Sequence, residues 1–418
     1  MNPRLGQQED VATVDVPESE RAVETIPSRE PLTPLDWLKV NLFPSPVNGV
    51  LTVLTAILTG WLTFAVLRWV LVTADWTVVR VNFRLFMVGR FPLEEVWRVW
   101  SVVYVAALLV GVTWGRTGRR MEWTRLKTIR RIVLGILGLL LLRYLVDSAL
   151  VWGLTAAAAG TVLAGTALGR LAGRESRVMR RAVLWGWLLA FPFVIVILQV
   201  ADGVGPALWN GLLLNVLAGV VGIVLSFPIG IVLALGRRST FPAVRVVCVG
   251  LIEFVRGAPL YTWLLFGVFL LPFLLPPGVI LPQLIRVMIM FTLFSSAYVA
   301  EIVRGGLQGV HHGQYEAARA LGLSTTRMMA LIILPQALRN TIPAMISHFI
   351  SLFKDTSLLA IIGFIDVLRV ARVASASAEF VGTSKQTLLF AGFIFWIVAF
   401  SMSRWSQRLE RRLGVGER

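Results

Sequence analysis

Apolar and polar residues fall along this chain in long blocks rather than in alternation. Runs rich in Leu, Val, Ala and Ile cover Val50–Val72, Val96–Trp114, Ile132–Leu150, Val151–Leu168, Ala182–Val200, Leu208–Leu235, Val246–Leu271, Leu284–Val303, Ala337–Phe353 and Leu388–Met402. Roughly 20 apolar residues make a helix long enough to cross a bilayer. The pattern therefore predicts an all-α integral membrane protein with about ten transmembrane helices. The third and fourth runs abut and carry Arg143 and Asp147, four apart, so that the two charges can neutralise one another. They read either as a tight helical hairpin or as one span plus a re-entrant piece.

Ahead of the first run, Met1 to about Leu35 holds Glu9, Asp10, Asp15, Glu18, Glu20, Glu24 and Glu30 among Pro, Ser and Thr, with no apolar periodicity. Residues 1–35 are expected to form a disordered acidic cytoplasmic tail. This stretch lacks the basic start and early apolar run of a cleavable signal, so the first span is expected to act as the insertion signal.

Composition sharpens the membrane reading. Hydrophobic residues make up 56% of the 418 and charged residues only 15%, which excludes an ordinary soluble enzyme. The net charge of +17 would suit nucleic acid if the basic residues shared a soluble face. They lie instead between the apolar runs, as the positive-inside rule produces. Arg116, Arg119, Arg120, Arg125, Lys127, Arg130 and Arg131 follow the second run; Arg170, Arg174, Arg177, Arg180 and Arg181 follow the fourth. Arg237, Arg238 and Arg245, then Arg304, Arg319, Arg327 and Arg339, and finally Arg404, Arg408, Arg411, Arg412 and Arg418 fall on the same side. That side is expected to be the cytoplasm, with both termini inside, while Arg80, Arg84 and Arg90 sit on the disfavoured side.

Enzyme chemistry finds little purchase. None of Lys39, Lys127, Lys354 and Lys385 follows a Gly, so there is no P-loop. Neither a nucleophile elbow nor an H-E-x-x-H motif is present. Cys248 stands alone in an apolar stretch as packing material, and His311, His312 and His348 have no second Cys with which to build a thiolate zinc site. No catalytic residue and no metal or cofactor of its own is expected in this chain.

The longest basic connection, Arg304 to Gln336, carries two short helices in its sequence. The first, Gln314 to Leu321, should stop at Gly322, where a left-handed residue is easiest for Gly. Ser324 is placed to cap the second, which Pro335 either interrupts or joins to the next span. Within it stand Glu316, Ala317 and Ala318, then Gly322, then Ile332, Leu334 and Pro335. This spacing resembles the signature of permease subunits of bacterial ABC importers: E-A-A, three residues, Gly, nine residues, Ile, one residue, Leu-Pro. The resemblance implies a type I ABC importer permease core of five helices. It also implies that the loop at 304–336 forms a coupling helix seated in a separate ATPase subunit, with Gln314, Glu316, Ala317, Ala318, Gly322, Ile332, Leu334 and Pro335 as coupling residues. Small Ala317 and Ala318 would suit close approach of that partner, and Glu316 could cap the helix or pair with a partner cation. An ordinary amphipathic interfacial helix would leave the Gly and Leu-Pro offsets unexplained.

Further phrases, E-F-V-R-G-A-P-L from Glu253, A-Y-V-A-E-I-V-R-G-G from Ala297 and L-F-K-D-T-S-L from Leu352, are similar to the polar amino-acid branch of those importers, which serves His, Glu, Gln, Arg and general L-amino acids. Ala258 departs from the Thr more usual there. The likeness covers about Leu208 to Glu410, giving an expected permease core at 206–412 and accessory helices with basic loops at 36–205. The front half looks like the larger permease subunit of general L-amino-acid systems. The resemblance further implies an inner-membrane location, a second and homologous permease chain, an ABC ATPase dimer that binds ATP and Mg, and a periplasmic or lipid-anchored amino-acid-binding protein.

Residue chemistry offers a path or gate. From Arg339 to Lys354 a helix rises roughly 22 Å, which would carry Lys354 and Asp355, with Thr356 and Ser357, deep into the bilayer. Ionisable groups there cost about 3 kcal/mol each, so the pair is either a gate or a structural ion pair. Leu260–Leu271 is too short to span alone, so Gly257, Ala258 and Pro259 should break a longer helix, freeing backbone groups that suit an amino acid. Glu253 and Arg256, and likewise Glu301 and Arg304, lie three apart on one helical face, placed to pair or, for the first two, to line the cavity. His311 and His312 read as solvent-exposed. A secondary transporter or channel subunit is the alternative, and it leaves the E-A-A loop without a purpose.

Overall fold

The computed structural model describes residues 33–117, 138, 143, 145–146, 148–172, 176–200 and 203–413. The expected acidic tail, most of the run Ile132–Leu150, and Asp147 with its proposed partnership to Arg143 lie outside these residues. The chain divides between Ala74 and Asp75 into two units.

In the first unit, Thr33 caps α1, Pro34–Leu42, and Ser45 caps α2, Pro46–Arg68, which a wide turn prolongs to Thr73. Each helix has Pro in its first turn, where the absent N–H costs nothing. No residue of α2 is buried, so its apolar side chains have no covering from their own unit.

The second unit begins with two short helices, α3 (Thr77–Val81) and α4 (Phe83–Val88), followed by α5 (Val96–Thr117), α6 (Ala149–Leu171) and α7 (Arg177–Gln199). Helices α5 and α6 meet at backbone distance. A Cβ added to Gly165 would stand 2.7 Å from the Leu108 carbonyl oxygen, and one added to Gly115 would stand 2.2 Å from that of Thr166. Small residues a turn apart permit this approach, where dispersion rather than the hydrophobic effect holds helices in lipid. Arg98 of α5 is buried; it pairs with Glu95 at 2.5 Å and donates to the Ile197 and Val200 carbonyls at the end of α7. It thereby satisfies acceptors that every helix C-terminus leaves open.

The remaining elements form the core: α8 (Gly211–Arg237), α9 (Pro242–Arg256), α10 (Leu260–Leu274), α11 (Gln283–Gln308), α12 (His312–Ala320), α13 (Thr325–Met328), α14 (Leu334–Asp355), α15 (Val367–Ala376) and α16 (Ser384–Leu413). Among the described residues there is no strand, and eight helices are long and apolar enough to cross a membrane, or up to nine when α9 and α10, bent by 102°, count as one. The expected helical membrane architecture stands, and the tenth expected span falls on residues outside the described set. Helix α11 is the centre: it packs along α8 and α14, and Gly306 lies against the Ala337 carbonyl, leaving no room for a side chain.

The segment after Ala74, which the charge pattern left as a loop on the disfavoured side, folds back onto the core. Val78, Val79 and Phe86 are fully buried with Val367, Val370, Ala371 and Phe390. Phe86 meets Phe390 edge-on at 5.0 Å, and Arg84 donates to the Phe91 carbonyl at 2.7 Å. This cap closes the end of the core that holds the start of α8. There Gly211 N–H donates to the Ile365 carbonyl at 2.7 Å and buried Asn215 donates to Thr356 and Asp366.

Candidate functional site: helix α12 and the polar seam above it

At the other end of the core, the connection between α11 and α14 takes the expected helix, turn and helix. Helix α12 starts at His312, two residues earlier than the helix-former pattern indicates, because the His311 ring nitrogen accepts the Gly313 N–H at 3.1 Å and so supplies the cap. It ends where expected. Gly322 has φ of 71°, its N–H donates to the Arg319 carbonyl, and Leu323 N–H donates to the Ala318 carbonyl at 3.2 Å, a C-terminal closure for which Gly is suited. The Ser324 side chain accepts from Arg327 N–H to start α13. A wide turn, Met329–Ile333, then joins it to α14, with Pro335 in the first turn of that helix. Pro335 thus opens the next span rather than interrupting the second short helix.

The residues of the E-A-A signature divide between two faces. Gln314, Glu316, Ala317, Gly322 and Pro335 are exposed, Ile332 and Leu334 are half-buried, and Ala318 is 1% exposed. Ala318 packs with Leu307, Val310, Met328 and Ile333 of the same chain, so it lacks the exposed surface expected of it, whereas Ala317 is exposed. Glu316 pairs with His312 at 2.9 Å on the solvent side. Leu321 and Leu331, 77% and 69% exposed, add apolar area to the outward face, and the residue spacing gave no reason to single them out. From behind, Tyr315 donates to the Leu307 carbonyl and accepts from Arg238, each at 3.2 Å, tying α12 to the ends of α11 and α8.

Two of the charged residues expected to line a path, Glu253 and Arg256, lie at this same end. Arg237 donates to Glu253 at 3.0 Å and to Glu301 at 3.4 Å, while Arg256 stands 4.0 Å from Glu253 and 3.6 Å from Glu301. Arg304 pairs closely with Glu301, as its spacing predicts. Glu253 and Arg256 do pair, but as members of a five-residue cluster joining α8, α9 and α11 at the end of the core that carries α12. The bend falls at Gly257–Pro259, directly after Arg256, with Pro259 exposed. Arg286, which the charge pattern did not flag, donates to the Gly267 and Val268 carbonyls in the wide turn of α10.

Of the two readings of Lys354 and Asp355, gate or structural ion pair, the ion pair is not formed: Lys354 is exposed on the last turn of α14, Asp355 is half-buried, and among the described residues neither side chain has a salt-bridge partner. The reason is helical geometry, which points adjacent residues about 100° apart. Thr356 is buried; its hydroxyl donates to the Phe353 carbonyl and accepts from Asn215, a structural knot that only long-range folding could reveal. Ser357 is half-buried beside it.

The polar seam between α11 and α14 was not foreseen. Ser295 donates to Ser226 of α8 at 2.9 Å and lies 3.0 Å from His348 Nε2. The His348 ring stacks on Tyr298 at 5.7 Å with the planes 10° apart, and the Arg256 guanidinium stands 5.6 Å from the same Tyr298 ring. A histidine inside an apolar run was itself the available signal. Nearer α12, a separate cleft of about 350 Å³ between α11 and α14 is lined by Glu301, Gly305, Gly309, Asn340, Thr341 and Ala344. Among the described residues no three His, Cys, Asp or Glu side chains gather as a metal site.

Comparison with known proteins agrees with this architecture. Residues 226–415 match the family described as binding-protein-dependent transport system inner membrane component. The glutamate/glutamine/aspartate/asparagine transport system permease protein BztC of Rhodobacter capsulatus is 36% identical over 91% of this chain and 93% of its own length. The inner membrane amino-acid ABC transporter permease protein YhdY of Escherichia coli is 34% identical over the same shares. The probable glutamine ABC transporter permease protein GlnP of Bacillus subtilis is 34% identical over 49% of this chain but 93% of its own length, so the front half is an addition that some relatives lack. Taken with the helical bundle and the E-A-A loop, these likenesses show that the chain belongs to the binding-protein-dependent inner-membrane transport components, as an amino-acid ABC transporter permease.

Proposed function

We propose that this permease subunit carries polar or general L-amino acids across the bacterial inner membrane and that α12 is its coupling helix. The single observation that supports the reading most is the division of α12 into an outward face and a face bonded to the core. Gln314, Glu316, Ala317 and Leu321 are exposed, while Tyr315 and Ala318 fasten the helix to α8 and α11. Force applied to such a helix reaches two core helices directly.

Its partners are a dimer of ABC ATPase subunits, which bind ATP and Mg, a second and homologous permease chain, and a periplasmic or lipid-anchored amino-acid-binding protein. Both termini lie in the cytoplasm, on the side of the arginine-rich connections. The cycle is a rocking of core helices between two accessible states, and the chain itself makes no covalent intermediate. The substrates named for BztC, glutamate, glutamine, aspartate and asparagine, are the first to assay.

The test is replacement of Glu316 by Arg or Gly322 by Pro in the assembled transporter. Membrane insertion should be retained while the ATPase no longer co-purifies and uptake falls to background. Normal uptake by either variant would count against the coupling role.

A further inference from the structure

The five charged side chains near the coupling helix are not an even exchange. Three guanidiniums, of Arg237, Arg256 and Arg304, surround two carboxylates, of Glu253 and Glu301. Arg304 saturates one oxygen of Glu301 and Arg237 donates to the other. Arg256 is left with ion-pair distances of 3.6 and 4.0 Å, too long for hydrogen bonds, and its buried Nε makes none. An arginine fork with unmade bonds, in a locally positive setting, is the side chain best suited to a carboxylate.

Arg256 has polar neighbours on two sides. On one side the ring of Tyr298 carries the column on to His348 and the Ser295–Ser226 pair, polar groups in an otherwise apolar bundle. On the other, Glu301 borders the cleft of about 350 Å³ beside the coupling helix. Gly305 leaves that cleft unobstructed, since a Cβ there would meet nothing within 4 Å. Asn340, exposed on the opposite wall, supplies an amide donor.

Resting on the proposed amino-acid substrate, we infer that Arg256 binds the α-carboxylate of the solute at the coupling-helix end of the path, beside the cleft between α11 and α14. The ligand group is the α-carboxylate common to all amino acids and not a side-chain acid. The site therefore holds solutes of differing side chain alike. Its place immediately before the bend at Gly257–Pro259 puts the carboxylate contact on the element that turns between α9 and α10.

The experiment uses the assembled, nucleotide-free permease–ATPase complex, and reads equilibrium binding of labelled L-glutamine, L-glutamate and the α-carboxamide of glutamine. Uptake by the complete wild-type transporter in liposomes is measured alongside: if no amino acid is carried, the proposed substrate class fails, and the α-carboxylate assignment fails with it. With uptake present, Arg256→Gln should weaken both glutamine and glutamate at least tenfold, Arg256→Lys should recover part of the loss, and the α-carboxamide should bind wild type weakly and be unaffected by either change. Equal binding by wild type and Arg256→Gln overturns the inference. So does a loss confined to glutamate, which would assign the contact to a side-chain acid, or an equal loss for acid and carboxamide, which would mark Arg256 as structural only. Co-purification of the ATPase at wild-type ratio verifies assembly of each variant, and Arg256→Lys keeps the test decisive should Arg256→Gln fail to assemble.

Discussion

Arg238 at the end of α8 donates to the Tyr315 hydroxyl of α12 at 3.2 Å and stands 5.7 Å over the same ring. This double contact ties α12, the proposed coupling helix, to a long membrane helix whose other end reaches Asn215 and Gly211. A displacement of α12 is therefore felt along α8 without passing through the intervening loop.

Replacing Tyr315 by Phe keeps the ring beneath Arg238 and removes the hydroxyl bonds to Arg238 and the Leu307 carbonyl. A hydrogen bond of this kind is worth about 1 kcal/mol, so amino-acid uptake per ATP hydrolysed should fall roughly fivefold. Tyr315→Ala, which loses the cation–π contact as well, should fall further. Transport and hydrolysis measured together in liposomes give the ratio; an unchanged ratio in both variants would mean that the contact transmits nothing.

The close approach of α5 and α6 predicts a different kind of failure. Gly165→Leu would drive a side chain into the Leu108 carbonyl, 2.7 Å from the added Cβ, and backbone cannot move aside as a flexible side chain can. Thermal unfolding in detergent should show a loss of about 2 kcal/mol or more. Gly160→Leu, where an added Cβ meets nothing within 4 Å, should leave the melting temperature nearly unchanged. Equal behaviour of the two would refute backbone-level packing.

Asp366 gives a pH signature. Its side chain caps α15 by accepting Arg369 N–H at 2.8 Å and also receives Asn215. Burial nonetheless lifts its pKa above the ordinary 3.8, against the hydrogen bonds that lower it. A raised folded-state value means that protonation favours the fold: this group's contribution is fully present below 3.8 and fades as pH rises through the folded value. Wild type should gain stability relative to Asp366→Asn as the solution is acidified from neutrality. Asp366→Ala, without a cap, should lose about 1 kcal/mol at every pH. Parallel melting curves for wild type and Asp366→Asn across the acid range would remove burial as the cause.

Much of this molecule could be read from residues alone, and the limit is physical. Apolar runs of bilayer length announce helices because lipid leaves the backbone no other partner, and Gly322 and Ser324 fix the ends of α12 and α13 by local geometry. What stayed hidden depends on distant partners. Nothing near Arg256 in the chain indicates that Arg237 will join Arg304 on Glu301, or that Ala318 and Ala317, neighbours in sequence, will face opposite ways. The segment from Asp75 to Phe91 misled for a related reason. Its arginines mark it as exposed loop, whereas the short apolar pairs between them, Val78–Val79 and Phe86–Met87, become meaningful only once α15 and α16 are there to receive them.

The edge-on seating of Phe86 against Phe390 has a kinematic consequence. It pins the beginning of the second unit to the terminal helix, so these two distant stretches of polypeptide must travel as one body whenever the core tilts. On the proposed coupling role, a fulcrum fashioned this way would stand at the opposite pole from the lever, α12.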